Sequence, residues 1–280
     1  MKTTIIVAAH KEYPMPSDLL YLPVQAGRAL HAPLPYTGDD SGENISEKNK
    51  TFCELTCLYW AWKNLKNTEA VGLCHYRRYL AGTGKPFLRG AGSAGGEKGK
   101  VPFPGLKSAD KALQKAASRI LTAPEAEALM EKTPVLLPKK RNYYIETGYS
   151  QYVHAHHEED LLLTRSILEE RYPAYLAAFD RTLARTKGHR FNMFVMRQDL
   201  LDRYCNWLFD ILFTLENRLD ISAYSDYDKR VFGFVAERLL DVWLETEGIP
   251  YRELPVLHLE SQHWLKKGTA FLKRKFRGRK

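Results

Sequence analysis

Residues 4–13 read TIIVAAHKEY and residues 70–79 read AVGLCHYRRY. In each, a short apolar run rich in β-branched or small side chains ends abruptly in a histidine, cations and tyrosine. A run without polar alternation is the signature of a strand covered on both faces, as in a parallel sheet. Pro134 to Leu137 has the same character. Helical periods lie between and after these runs. Ser46 is placed to cap a helix reaching about Asn64, with Phe52, Leu55, Tyr59, Trp62 and Leu65 at helical spacing. Further helices are predicted over 158–171, 175–186, 199–218 and 228–245, with strands over 191–196 and 251–257. The expectation is an α/β fold with parallel strands early and a helix-rich C-terminal half. An open sheet of that kind binds ligands at the carboxyl ends of its strands.

Composition excludes several classes. The 280 residues are 44% hydrophobic, 27% charged and 12% aromatic, so collagen-like, disordered and disulfide-stapled mini-protein readings fail. No apolar run approaches the about 18 residues that cross a bilayer. The apolar start meets His10, Lys11 and Glu12 at once, which reads as a strand rather than a signal peptide. A cytoplasmic location is expected. Cys53, Cys57, Cys74 and Cys205 lack any paired zinc spacing and read as buried apolar side chains in a reducing compartment.

The net charge of +9 is unevenly spread: residues 266–280, KKGTAFLKRKFRGRK, hold eight basic residues and no acid, leaving +1 for the first 265. A nucleic-acid-binding domain usually carries a basic face on its body, which argues against that class. Phe271, Leu272 and Phe276 among the cations suit an anionic membrane surface, the alternatives being a disordered solubilising terminus or a nucleic-acid arm. Residues 81–111 are dense in glycine and lysine and read as a mobile loop or insertion, without a P-loop signature.

If the strand-end rule holds, His10–Tyr13 and His75–Tyr79 are functional, since paired guanidiniums match phosphate oxygens and tyrosines flank a planar base. Charged, merely exposed strand ends are the alternative. Asp39 and Asp40, followed by Asn44 and Ser46, read as a turn before a helix in preference to a metal site. Residues 143–157, YYIETGYSQYVHAHH, form the densest polar-aromatic run. Its tyrosines offer faces on which sugars stack, or simply pack. Its histidines suit acid–base chemistry or hydrogen bonding, and His-x-His-His matches no zinc or di-iron template. Arg230, Phe234 and Glu237 share one helix face, with Glu237 either a site carboxylate or half of an ion pair with Arg230 or Arg238.

The blocks IIVAAHKEY, LPVQAG, GDDSGENISEKNKTFCELTCLYWAWKN and VGLCHYRRYL, in that order, resemble a family first catalogued as a domain of unknown function. Its members are commonly labelled capsular or exopolysaccharide biosynthesis glycosyltransferases. RNYYIETGYSQYVHAHHEEDL, FNMFVMRQDLLDRYCNWLFDIL and YDKRVFGFVAERLLDVWL continue the resemblance, which covers residues 3–257 apart from the Gly-rich segment. It implies one GT-A-like domain over 1–257, a nucleotide-binding sheet flanked by helices, and a basic tail over 258–280. The implied reaction moves a hexose, galactose or galactofuranose, from a UDP-sugar to a polyprenyl-linked glycan of a capsule, exopolysaccharide or O-antigen. The implied place is the inner face of the bacterial plasma membrane, with residues 266–280 on anionic lipid and no nucleic-acid partner.

Carried over by block, the resemblance puts His10, Asp40, Asn44, Ser46, Asn49, His75, Tyr76, Arg77 and Arg78 around the donor. Tyr149, Tyr152, His154, His156, Asn192 and Arg230 fall on the sugar or acceptor side. Glu237 and His157, then Asp160 and Asp228, are the candidates for the catalytic base. GT-A enzymes usually place an Asp-x-Asp after a central strand to hold a divalent metal. Here that place reads His75-Tyr76-Arg77-Arg78, so no cofactor is expected to be required, Mn or Mg staying open, and Arg77 and Arg78 stand in for the metal. Three rivals are a nucleic-acid-binding protein, a metal hydrolase on His154, His156, His157 and Asp160, and a non-catalytic glycan-binding module.

Overall fold

The TIIVAA run forms β1 (Thr3–Ala9), with six of its seven residues buried. A computed structural model describes residues 1–82 and 111–259 of the chain. After β1 come β2 (Tyr21–Gln25), β3 (Thr37–Gly38), α1 (Asn49–Phe52), α2 (Leu55–Asn64), β4 (Ala70–His75) and β5 (Arg78–Leu80). Then follow α3 (Lys111–Ala117), α4 (Ala123–Met130), β6 (Val135–Pro138), β7 (Arg141–Asn142), α5 (Gly148–Val153), α6 (Glu158–Arg171) and α7 (Pro173–Ala184). The described chain closes with β8 (Lys187–Gly188), β9 (Phe194–Arg197), α8 (Gln198–Arg218), α9 (Val231–Thr246), β10 (Arg252–Leu254) and β11 (Val256–His258). The Gly-rich segment beyond Gly82 and the basic run 266–280 lie outside the described residues.

The main sheet runs β10-β6-β9-β4-β1-β2-β3. It is parallel except at β9, which lies antiparallel to both β4 and β6; β5 and β11 form an antiparallel flap off β4. Strand alternation sorts the core. Ile6, Ala8, Val71, Leu73, Phe194 and Met196 point into a large core shared with α2 and α5 to α9. Ile5, Val7, Ala9, Cys74 and Val195 point the other way, into a smaller core that includes Ala117 of α3 and Leu129 of α4. Each fully buried Ile, Leu or Val contributes about 1.5–3 kcal/mol, so covering both faces stabilises the sheet and holds its register. At the crossing of β4 and β9 a Cβ on Gly72 would stand 2.9 Å from the Phe194 carbonyl oxygen and from Val195 Cγ2, which leaves room only for glycine.

Three local expectations are corrected. The helix expected from Ser46 to Asn64 is a 3-10 turn over Ser46–Lys48, then α1, then α2, broken at Cys53 (φ 53°). Ser46 caps neither piece: its hydroxyl donates to Asp39 Oδ1 and accepts the Ala29 N–H, so tertiary hydrogen bonds override helix propensity. The single strand expected over 251–257 is two, divided at Pro255, with β10 joining β6 and β11 joining β5. The strand expected over 191–196 starts at Phe194, because Phe191 (φ 93°) turns the chain before it.

Candidate active site

β1 sits between β2 and β4, and the chain leaves these neighbouring parallel strands in opposite directions. Such a switch point opens a crevice at the carboxyl ends, and here a cleft of about 610 Å³ occupies it. The residues after β1 and β4 meet at its mouth. His10 and Tyr13 pack edge-on against Tyr76 at 5.3 and 5.0 Å, and Lys11 and Arg77 lie 5.5 and 5.4 Å from the same ring. From behind, the Leu259 N–H donates to the Arg77 carbonyl at 3.0 Å and fixes the turn that carries the arginine pair.

The break between α1 and α2 builds the second wall. Cys53, Glu54, Asn49 and Lys50 line it. The left-handed backbone of Cys53 is costly for a residue with a Cβ. It is held by Asn49 Nδ2 donating to the Cys53 carbonyl (2.7 Å) and by Arg230 Nε donating to Cys53 Sγ (3.2 Å). Burial pushes the thiol up to about 12, so it stays protonated. Asn192, buried before β9, donates to Glu54 Oε1 (2.7 Å) and to the Gly233 carbonyl (3.1 Å), which ties this wall to α9. The third wall is the N-cap Arg230 and the start of α9, with Phe234, Glu237 and Arg238 lining the cleft and Arg190 and Gln151 lining it as well.

The field in the cleft is strongly positive. Among the described residues its lining holds seven cations (Lys50, Arg77, Arg78, Arg141, Arg190, Arg230 and Arg238) against two carboxylates, Glu54 and Glu237. Burial, then the Arg78 charge, pushes His75 down to about 3, so its imidazole is neutral. Burial, then Arg77 and Lys11, also lowers His10. Walls of this charge concentrate an anion.

The candidates divide cleanly by position. His10, Asn49, His75, Tyr76, Arg77, Arg78, His156, Arg230 and Glu237 line the cleft together. His156 is stacked on Phe234 at 4.1 Å. Asp40, Asn44 and Ser46 do not line it: Asn44 Nδ2 closes its own loop onto the Asp40 and Gly42 carbonyls. Tyr149 reaches Glu158, His154 reaches Glu146 (2.6 Å), and the buried Tyr152 donates to Asp160 (2.8 Å). Asp160 also accepts from Tyr224 (2.8 Å), and burial raises its carboxyl, which marks it as a packing hub of α5 and α6. His157 stacks on Tyr224 at 3.9 Å, and Asp228 stands 3.7 Å from both His156 and His157. Among the described residues no group of three or more His, Cys, Asp or Glu is arranged to hold a metal ion. Where a metal-binding Asp-x-Asp would stand after β4, two guanidiniums stand instead, a donor set that repels a divalent cation.

Sequence reasoning missed Glu54, Arg141, Tyr143, Gln151 and Arg190 as lining residues, and named Arg238 only as an ion-pair partner. Arg190 comes from a loop with no motif. Gln151 and Tyr143 lie inside the polar-aromatic run, where the spacing does not say which residue points inward.

This sheet order, with a cationic cleft at its switch point, defines an α/β fold that binds a ligand where the strand order reverses. The chain belongs to the family described as domain of unknown function (DUF4422), whose model matches residues 4–248. It is similar to the apo structure of the bifunctional glycosyltransferase WbbM, with 29% identity and a TM-score of 0.78 over 93% of this chain. The match spans 46% of that protein, so this chain corresponds to about half of its length. No curated protein matches the chain.

Proposed function

We propose that this protein is a glycosyltransferase that moves a hexose, galactose or galactofuranose, from a UDP-linked donor to a lipid-linked glycan of a capsule, exopolysaccharide or O-antigen. The observation that carries the reading is the Arg77–Arg78 pair at the carboxyl end of β4, at the switch point of a fold shared with a glycosyltransferase. In this reading the base and ribose lie against His10, Tyr76 and Asn49. Arg77 and Arg78 grip the diphosphate and stabilise the charge that develops as it leaves. Glu237 takes the proton from the acceptor hydroxyl as that oxygen attacks the anomeric carbon. Of the four candidate bases, Glu237 lines the cleft while His157, Asp160 and Asp228 do not, which favours it.

Thermal stabilisation by UDP, GDP and CMP, in EDTA and again with Mn²⁺, tests this. Ligand at about 100 times its Kd adds about 2.7 kcal/mol to the stability of the state that binds it. The expected result is a UDP-selective rise that survives EDTA. A rise that needs Mn²⁺ would take the charge-stabilising role from the arginines, and no rise with any nucleotide would discard the transferase.

On the same reading, the basic run over 266–280 holds the enzyme at an anionic membrane where lipid-linked glycans grow. Each Lys or Arg near such a surface contributes about 1 kcal/mol. Removing these residues is expected to weaken co-sedimentation with vesicles containing phosphatidylglycerol. Equal co-sedimentation would discard the docking.

A further inference from the structure

Beyond the arginine pair after β4, the cleft holds a second one. Arg190 and Arg238 are each only 4% exposed, yet both line it. The fold makes room for Arg190 deliberately: a Cβ on Gly188 would stand 2.4 Å from its Nη1, and one on Gly148 2.8 Å from its Nη2. Arg190 Nη1 donates to the His189 carbonyl (3.2 Å), while its Nε and Nη2 have no hydrogen-bond partner among the described residues. Arg238 donates to Gln151 Oε1 (2.6 Å) and reaches Glu237 Oε2 at 3.4 Å, and its Nε likewise has no partner there. Tyrosine rings back both guanidiniums, Tyr143 at 5.9 Å from Arg190 and Tyr152 at 5.4 Å from Arg238.

Glu237 stands beside Arg238, while Asp241 and Glu237 act on Arg190 without forming an ion pair with it among the described residues. Burial, then the Arg238 charge, pulls Arg190 down to about 10. Buried arginines are ordinarily paired and fully hydrogen-bonded, because an uncompensated charge in a low-dielectric site is costly. Both guanidiniums line the cleft with donors unmet by protein groups, and a planar fork of this kind matches a carboxylate or phosphate. The pair is built on other elements than the first one: Arg77 and Arg78 follow β4 and pack on Tyr76 (5.4 Å) and Phe191 (4.7 Å), whereas Arg190 precedes β9 and Arg238 stands on α9. Glu237 lines the same cleft and stands 3.4 Å from Arg238.

We propose that Arg190 and Arg238 form an oxyanion subsite, separate from the Arg77–Arg78 pair, for a carboxylate or phosphate carried by the acceptor glycan. The assignment to the acceptor rests on the transferase reading: Arg238 is 3.4 Å from Glu237, so an oxyanion held by this pair lies beside the hydroxyl that Glu237 deprotonates. The acceptor class is then acidic, a glycan bearing a uronate or a phosphate close to the hydroxyl that is glycosylated.

The test is calorimetric titration of the full chain, loaded with UDP, using methyl glucuronide, methyl glucoside and inorganic phosphate as probes. The glucuronide is expected to bind roughly tenfold or more tightly than its neutral twin. Arg190→Met and Arg238→Met are each expected to abolish that preference. Tighter binding of phosphate than of glucuronide assigns the oxyanion to a phosphate-bearing acceptor, and the reverse order to a sugar acid. Equal binding of glucuronide and glucoside overturns the subsite, and displacement of UDP by either anion overturns its separateness. Should UDP itself not bind, the transferase reading fails alone, because the same preference is then measured on the UDP-free chain. Should the methionine variants not fold, the wild-type comparison and Arg238→Lys, which keeps the charge but loses the fork, still decide: the lysine variant is expected to lose most of the preference.

Discussion

Both carboxylate oxygens of Asp39 are saturated by donors from three segments. The Gly27 and Arg28 N–H groups reach it at 2.8 and 3.0 Å, and the hydroxyls of Thr56 (2.6 Å) and Ser46 complete the set. The side chain is fully buried, so Asp39→Ala would strand these donors. A loss of about 2–4 kcal/mol is expected in urea denaturation, with Asp39→Asn losing less. Glu237 has the opposite character, lining the cleft beside Arg238 rather than knitting loops. Glu237→Gln is expected to lower kcat by about 10²–10⁴ while donor affinity falls far less, the mark of a group needed in proton transfer. His75 gives a pH signature. Its folded-state value near 3 lies below that of an unfolded histidine, so from about pH 6.5 downward the unfolded chain takes up a proton that the folded chain refuses, and stability falls as pH falls. The slope is on the order of 1 kcal/mol per pH unit between those values, and it is expected to flatten in His75→Asn when denaturation is repeated across that range.

At the scale of elements, the close approach of β4 and β9 makes Gly72→Ala an expected destabilisation of about 1–3 kcal/mol, read as a lower urea midpoint at constant slope. The cause is the backbone oxygen of Phe194, which cannot step aside as a flexible side-chain end would. What the sequence disclosed about elements follows the same physics. β1 and β4 were legible because both faces are buried and the apolar run is unbroken, and the polar residues after them landed in the cleft together. The face shared by Phe234 and Glu237 on α9, with Arg230 at its N-cap, was legible from spacing alone. β2 was hidden by Pro23, which sits inside the strand opposite Val7 despite bringing no N–H. α4 was overlooked although Thr122, Pro124 and Glu125 carry a capping-box signature, with the Thr122 N–H donating to Glu125 Oε2 at 3.2 Å. The break at Cys53 was not legible at all. Its determinants are Asn49 and Arg230, and the second is brought beside Cys53 by tertiary packing across 177 positions of sequence.

Over the whole molecule, charge is segregated rather than abundant. The first 265 residues carry only +1, yet the cleft alone presents seven cations to two acids. Outside the cleft, exposed arginines of the helical half stand in ion pairs: Arg165 with Asp180 (3.0 Å), Arg171 with Asp210 (2.7 Å) and Arg218 with Glu170 (2.8 Å). Such exposed pairs contribute little, because water and salt screen them. Salt should therefore act on the free and the bound protein with opposite sign. In the free protein it screens repulsion among the cleft cations, so the melting temperature is expected to rise as salt is added. In the complex it screens the attraction that holds a diphosphate, so UDP affinity is expected to fall on the order of tenfold between about 0.05 and 0.5 M salt as the screening length shortens to a few ångströms. Calorimetry of UDP binding at both concentrations, beside melting curves of the free chain, separates these effects. UDP affinity insensitive to salt would mean that contacts to base and ribose carry the binding and that the arginines contribute little to holding the donor. A salt-sensitive affinity with an unmoved melting temperature would mean that the carboxylates of Glu54 and Glu237 already offset the repulsion among the cleft cations before any ligand arrives.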